Sequence, residues 1–470
     1  MKCTTGWSYD RYRPAVHGGD EIYIQQILPG TDRITLAFSG GRGETSAYIR
    51  MVGSDAEWQK GEVSGNTACF EGLTDGQDYE FYLENDGGKS ATGLARPGFV
   101  PGTVVNYLHP EDHKYEFSGQ HLCTPSLMKH PDGYLLASMD VFDGNAPQNL
   151  TLIFRSDDDG KSWYHYTELF PCFWGMLFWH RGAVYMLATS TEYGDLLIGK
   201  SEDGGKTFCT PTVLARGSSH KIQPGWHKSG MPVVEHKGRL WTGIDYGSHK
   251  SGGHASCLLS VPADADLLDS SAWRITEPLR YNPHWEGAVV GDDRGFIEGN
   301  AVVMPDGGIC DFLRYSTNKG EPQYGLAAVL RGDCDDPEKP LSFYKFVPFP
   351  GNLSKFDVRR DEKTGVYFSI ISRIYSEECV AARNVLSLIC SWDLEHWTVL
   401  CDLLDYAHLD PKLVGFQYVS FLFDGEDILY LSRTALNGAQ SFHDNNYITF
   451  HRIENFRSLI PDPSGNDLKK

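Results

Sequence analysis

The sequence predicts an all-β chain in which a small β-sandwich precedes a β-propeller, and three observations carry that prediction. Turn formers are abundant and evenly spread, with 50 glycines and 24 prolines along 470 residues. Beyond position 104, a unit of apolar strand, glycine turn and apolar strand recurs at intervals of roughly 50 to 70 residues, the period expected of four-stranded blades. Few segments carry a helical period.

Residues 1–97 read as short strands at 33–38, 47–52, 67–70, 79–84 and 89–95, separated by turns such as Asn85-Asp86-Gly87-Gly88. Within them, Gly72-Leu73-Thr74-Asp75-Gly76-Gln77-Asp78-Tyr79-Glu80-Phe81-Tyr82 resembles the strand E to F region of fibronectin type III domains. Tyr79 stands where such sandwiches carry a corner tyrosine. Pro97-Gly98-Phe99-Val100-Pro101 reads as a linker.

The propeller is expected over 104–457. Its strand pairs are 125–138 turning at Asp132-Gly133, 176–189 at Arg181-Gly182, and 231–243 at Lys237-Gly238. They continue with 301–313 at Asp306-Gly307, 356–370 near Gly365, and 419–432 at Asp424-Gly425. Six units fill this length, and a seventh within the long loops stays open. Residues 458–470 read as a polar tail.

Two of these units are followed by one turn motif. Ser156-Asp157-Asp158-Asp159-Gly160-Lys161-Ser162-Trp163 and Ser201-Glu202-Asp203-Gly204-Gly205-Lys206-Thr207-Phe208 both fit Ser-x-Asp-x-Gly-x-Thr/Ser-aromatic, their serines 45 residues apart. Ser391-Trp392-Asp393-Leu394-Glu395-His396-Trp397 is a shortened copy. The motif resembles the Asp-box (BNR repeat) of the sialidase superfamily, which implies a sialidase-like propeller. Its physics is that of a turn, in which Asp accepts backbone N–H bonds and Gly takes the left-handed position. The aromatic is expected to pack between neighbouring sheets. The motif speaks to fold and not to catalysis.

Charge and composition exclude several functions. With 42 Lys+Arg against 62 Asp+Glu the net charge is −20, so nucleic acid and anionic membranes would be repelled. No apolar run reaches a membrane span, and the polar start Met1-Lys2-Cys3-Thr4-Thr5 has no signal-peptide core. A cytoplasmic protein is expected, or a secreted one if a leader has been removed. The 11 cysteines are odd in number and isolated, without CxxC, which argues for reduced thiols and against a zinc site or disulfide framework. No cofactor is called for.

Sialidases gather three carboxylate-clamping arginines, a Tyr–Glu nucleophile pair and an Asp acid/base on the propeller axis. Phe296-Ile297-Glu298-Gly299-Asn300, running to Leu313-Arg314, resembles the blade that carries the Glu and one arginine. Phe416-Gln417-Tyr418-Val419-Ser420 resembles the segment of the Tyr, and Asp143 in Asp140-Val141-Phe142-Asp143-Gly144 lies where the acid/base belongs. A phenol nucleophile needs a carboxylate to take its proton, so Glu298 beside Tyr418 makes chemical sense. The departure is in the first blade, where Cys123-Thr124-Pro125 replaces the family's Arg-Ile-Pro. A bidentate guanidinium is what holds a sialic acid carboxylate, so true sialidase activity is expected to be weak or absent. Arg383 and Arg433 are the candidates for a third arginine.

Histidines cluster at the other strand ends: His121, Gly225-Trp226-His227-Lys228, and Phe442-His443-Asp444. These, with Pro262-Ala263-Asp264-Ala265-Asp266, resemble the propeller lyases and hydrolases that remove rhamnose linked to glucuronate. That resemblance implies Arg314 on the uronate carboxylate, with His227 or Tyr418 moving the proton. The candidate catalytic residues are therefore Glu298, Tyr418, His227 and Asp143. The candidate substrate-binding residues are Arg314, His121, Lys228, Trp226, Asn300, Gln417, Arg433 and His443. Each has a structural alternative: an inner-strand aromatic for Tyr418, a structural hydrogen bonder for His227, a turn residue for Asp143, a loop cap for His443. Phe173, Trp174 and Trp226 either stack on sugars or pack the blades. The leading reading is an exo-acting glycosidase or uronate lyase on an oligosaccharide; the alternatives are a non-catalytic glycan-binding propeller and a protein scaffold.

Overall fold

In Arg33–Ser39 and Tyr79–Asn85 buried and exposed side chains alternate, as strands with one face on a core require. Tyr23–Pro29, Arg33–Ser39, Thr67–Glu71 and Glu62–Ser64 form one sheet. Gln59–Lys60, Ser46–Met51, Tyr79–Asn85 and Gly88–Lys89 form another, with Gly93–Ala95 paired to Tyr79–Asn85. Ile34, Leu36 and Phe70 of the first meet Ile49, Phe81 and Leu83 of the second in one core. The Tyr79 hydroxyl accepts the Thr74 N–H at 3.0 Å, tying the corner of the second sheet. The expected strand at 89–95 is split into two short pieces, and Tyr23–Pro29 is added ahead of the first expected strand. The computed structural model describes residues 22–218, 223–288, 296–315, 324–351 and 353–461. The first 21 residues and residues 462–470 of the expected tail lie outside the described residues.

Among the described residues six antiparallel sheets follow, each with the strand named first innermost. Sheet I is His121–Lys129, Leu135–Phe142, Thr151–Ser156 and Tyr164–Leu169; sheet II is Phe173–His180, Ala183–Thr189, Leu196–Ser201 and Thr212–Ala215. Sheet III pairs Gly225–His227, Arg239–Ser248, Gly253–Pro262 and Arg274–Ile275, with Val234–His236 and Leu279–Arg280 alongside. Sheet IV is Phe296–Val303, Ile309–Tyr315, Leu326–Gly332 and Ser342–Pro348; sheet V is Val358–Arg360, Tyr367–Ser372, Val385–Ser391 and Thr398–Asp405. Sheet VI is Gly415–Asp424, Asp427–Ala435 and Tyr447–Ile453, completed by Thr103–Tyr107 from the far end of the chain. The chain is all-β; among the described residues helix is confined to short 3-10 turns such as Phe456–Leu459.

Apolar clusters join each sheet to the next: Leu136 with Val184, Leu187 with Leu259, Leu258 with Leu330, Phe312 with Ile389, and Phe368 with Phe421. Leu431 with Leu152 then joins sheet VI back to sheet I. The sheets therefore close into a ring, which leaves no inner edge exposed. The Ser-x-Asp turns sit on the outside of these seams. Asp158 accepts the Ser162 N–H at 2.9 Å, Asp203 accepts the Thr207 N–H at 2.9 Å, and Asp393 accepts the His396 N–H at 2.8 Å. Gly160 and Gly205 take the left-handed position, with φ of 87° and 90°; in the shortened copy Leu394 takes it at 68°. Trp163 packs against Phe450 between sheets I and VI, and Phe208 packs between sheets I and II. The leading pair of sheets docks on this ring through Tyr107 and Tyr447, which share its core, and through a Gln26 Nε2 bond to the Val105 carbonyl at 2.6 Å.

Candidate active site

Four inner strands carry the same irregularity near their starts. Thr124, Trp174, Glu298 and Tyr418 have φ of 43°, 53°, 63° and 53°, left-handed values that non-glycine residues avoid. At each the strand register slips: between Cys123 and Ser126, Phe173 and Met176, Ile297 and Gly299, and Gln417 and Ser420. A bulge of this kind turns its residue out of the strand's alternation. All four side chains line one cavity of about 370 Å³. Buried carboxylates of the preceding sheets hold two of the strained backbones. Asp140 accepts the Trp174 N–H and Asp245 the Glu298 N–H, each at 2.9 Å.

On one side of the cavity, Arg314 Nη1 donates to Glu298 Oε2 at 2.9 Å and lies 3.5 Å from the Tyr418 hydroxyl. Ser229 Oγ donates to the other oxygen, Glu298 Oε1, at 3.0 Å. Burial alone would raise the Glu298 pKa, but the Arg314 charge, His227 once acid has protonated it, and these hydrogen bonds hold it at about 2. The Tyr418 phenol moves the other way: burial and the Glu298 charge raise it, and the surrounding arginines only partly offset them. The Arg383 and Arg433 guanidinium carbons stand 5.7 and 5.0 Å from the Tyr418 ring centre. Arg383 is fixed by the Gln417 side-chain oxygen and the Leu353 carbonyl, and Arg433 by Asn445 Oδ1 at 2.6 Å. Burial draws Arg383 down to about 10, which leaves it charged at neutral pH.

On the other side, the His227 ring lies 3.9 Å from Trp174, and its Nδ1 is 3.2 Å from Asp245 Oδ2. Burial lowers His227 to about 4 and pushes the Asp245 carboxyl well up, so the imidazole is neutral at neutral pH. Glu192, Gln148, Tyr193, His249 and Lys250 complete this side of the lining, with Gln148 Nε2 donating to Glu192 Oε2 at 2.9 Å. Among the described residues, no group of three or more His, Cys, Asp or Glu side chains is arranged to hold a metal.

Of the candidate catalytic and substrate-binding residues, Glu298, Tyr418, His227, Arg314, Arg433 and His443 line this one cavity, as do Arg383 and Trp174. The others are engaged elsewhere. Lys228 is fully buried, its Nζ donating to the Met231 carbonyl at 2.7 Å and Thr242 Oγ1 at 3.0 Å, so it braces sheet III instead of meeting a ligand. Trp226 packs in the seam between sheets II and III, its Nε1 bonded to the Arg216 carbonyl at 3.0 Å. Asn300 stitches sheet IV to sheet V through the Phe356 carbonyl and the Val358 N–H, both at 3.0 Å. Gln417 holds Arg383, and buried His121 is not part of the lining. Asp143 folds back on its own loop, accepting the Asn145 N–H at 2.6 Å, while its neighbour Gly144 reaches the lining. Glu192, Gln148 and Asp245 were not read from the sequence. Arg433 from sheet VI lines the same cavity as Cys123 and Thr124.

No protein-family model matches the chain, and no curated protein matches it. Among solved structures it is similar to a Hadza microbial sialidase, with a TM-score of 0.51 and 12% identity over 94% of this chain and 96% of that one. It is also similar to the Penicillium chrysogenum α-L-arabinanase complexed with arabinobiose, with a TM-score of 0.50 and 14% identity over 76% of this chain and 98% of that one. The fold is thus that of the sialidase-like propellers.

Proposed function

We propose that this protein is an exo-acting glycosidase that removes a terminal sugar bearing a carboxylate, with Tyr418 as nucleophile and Glu298 as its base. The observation that carries this reading is the Arg314 guanidinium shared between Glu298 and the Tyr418 hydroxyl. A phenol whose pKa is raised attacks only if its proton has somewhere to go. In the free protein Arg314 holds Glu298 at about 2, too acidic to take that proton readily. A substrate carboxylate that engages Arg314 weakens this hold and makes Glu298 a better base at the moment of attack. The Tyr418 oxygen then bonds to the anomeric carbon, its proton passes to Glu298, and the bond to the leaving oxygen breaks; water later releases the sugar.

Arg383 and Arg433, facing the same ring, favour both the anionic substrate and the developing phenolate. An acidic sugar other than sialic acid is proposed first, because Cys123 and Thr124 occupy the position where sialidases carry an arginine. In the same reading the six sheets are six blades, with two of the Ser-x-Asp turns as full Asp-boxes. The leading sheets form a fibronectin type III-like sandwich, and no cofactor takes part. A second reading, β-elimination next to a uronate, is favoured by one observation: His227 lines the cavity as a neutral imidazole able to take a proton.

A panel of aryl uronosides, sialosides and arabinofuranosides, with uronate-linked oligosaccharides, tests these readings. Reducing ends and the absorbance of a 4,5-unsaturated product are followed separately. Reducing ends without the unsaturated product are expected, and Tyr418→Phe should lower kcat by roughly a thousand-fold or more with an unchanged melting temperature. Unsaturated product would replace hydrolysis by elimination. Binding without turnover by the wild type would leave a glycan-binding propeller.

A further inference from the structure

We propose that Glu192 is the acid that protonates the leaving oxygen, a role that rests on the hydrolase reading above. A tyrosine nucleophile displaces a sugar alcohol only if a second group supplies a proton on the leaving side, and that group must reach the cavity while able to carry one. Glu298 is committed to Arg314 and Ser229 on both its oxygens. Asp143 turns onto its own loop and is not part of the lining. His227 is held between the Trp174 ring and Asp245, its Nδ1 3.2 Å from Asp245 Oδ2.

Glu192 lines the cavity from the loop between Ala183–Thr189 and Leu196–Ser201, in a different sector of the ring from Tyr418 and Glu298. Its partner Gln148 is fully buried, and the Gln148 N–H is fixed to the Ser118 carbonyl at 3.0 Å. The Gln148 amide donates to Glu192 Oε2 at 2.9 Å and so orients a carboxyl that lines the cavity. The Glu192 loop is itself braced: Thr191 Oγ1 bonds to the Pro147 carbonyl, and buried Tyr193 takes a left-handed φ of 64°. In the first step the Glu192 proton goes to the departing oxygen as the glycosidic bond breaks, leaving a carboxylate. In the second that carboxylate takes a proton from the water that attacks the anomeric carbon, the Tyr418–sugar bond breaks, and the phenolate regains its proton from Glu298.

The test uses the full chain and whichever glycoside the wild type cleaves, prepared with an alkyl and with a dinitrophenyl leaving group. Glu192→Gln should lose about 10²- to 10⁴-fold in kcat/KM on the alkyl substrate and less than about ten-fold on the dinitrophenyl one, which needs no proton. Asp143→Asn should lose neither. Glu192→Ala, turning over the dinitrophenyl substrate, should be accelerated by azide with a glycosyl azide as product. Equal losses on both substrates without azide rescue, no loss on either, or the leaving-group signature in Asp143→Asn would each overturn the role of Glu192. If instead Tyr418→Phe keeps full activity, or the wild type cleaves no glycoside, the hydrolase reading fails and Glu192 falls with it. An active wild type with an inactive Tyr418→Phe separates the two failures.

Discussion

His227 is 4% exposed in the cavity wall, and its folded-state pKa of about 4 lies below the ordinary value of 6.5. Above pH 6.5 the imidazole is neutral whether the chain is folded or not, so it adds no pH dependence there. Between 6.5 and 4 the unfolded chain binds a proton that the folded one refuses, and stability falls as pH falls. Such a shift corresponds to roughly 3 kcal/mol across that window. Glu298, depressed to about 2, adds a loss lower still, between the unfolded carboxylate value and 2. Thermal unfolding across pH 7 to 4 should therefore show a falling melting temperature, with a shallower fall in His227→Gln. The residue types at the site were legible because Glu298, Arg314 and Tyr418 sit at strand ends in recognisable segments. Their strained backbones were not, since neither bulge nor left-handed φ leaves a mark on bulky residues such as Trp174 and Tyr418.

The Ser-x-Asp turn is the element most fully written in the sequence, because its bonds run between residues at most seven apart. Its aromatic reaches further: Trp163 is 4% exposed, donates to the Gly160 carbonyl at 3.2 Å and lies 5.4 Å from Phe450 across the seam that closes the ring. Trp163→Ala should cost about 3–5 kcal/mol in denaturant unfolding while leaving kcat/KM nearly unchanged, because the turn lies away from the cavity. The inner strands were harder to delimit. The expected pair starting at 231 begins in fact at Gly225–His227, and the short Val234–His236 pairs separately with Arg239–Ser248. Bulges interrupt the alternation on which strand reading depends.

Among the described residues the leading sheets contribute nothing to the cavity lining, yet they are bound to the ring. Asp78 takes both arms of Arg96 at 2.6 and 2.7 Å and lies 3.0 Å from His109, while Asn437 donates to the Phe99 carbonyl at 2.9 Å. Asp78→Ala should lower stability by about 1–3 kcal/mol and leave turnover within two-fold, as measured by melting temperature and initial rates. A comparable loss of turnover would mean that the leading sheets position the cavity from a distance. Ring closure is likewise a property of the whole chain, since Thr103–Tyr107 supplies the outer strand of a sheet whose other strands begin at Gly415.

By itself the sequence determined the all-β class, the recurring strand pairs, the turns of the seams and the chemical cast of Glu298, Tyr418, Arg314 and His227. All of these follow from short-range pattern: apolar periodicity, glycine placement, and motifs a few residues long. Only the tertiary structure decided which polar side chains meet. Lys228, Trp226 and Asn300 stand within two residues of cavity-lining positions yet serve the walls, while Arg433, Gln148 and Glu192 arrive from three different parts of the chain. A strand residue's direction depends on register and bulges, and the partner of a buried charge depends on which sheets become neighbours, so neither is fixed until the ring is closed.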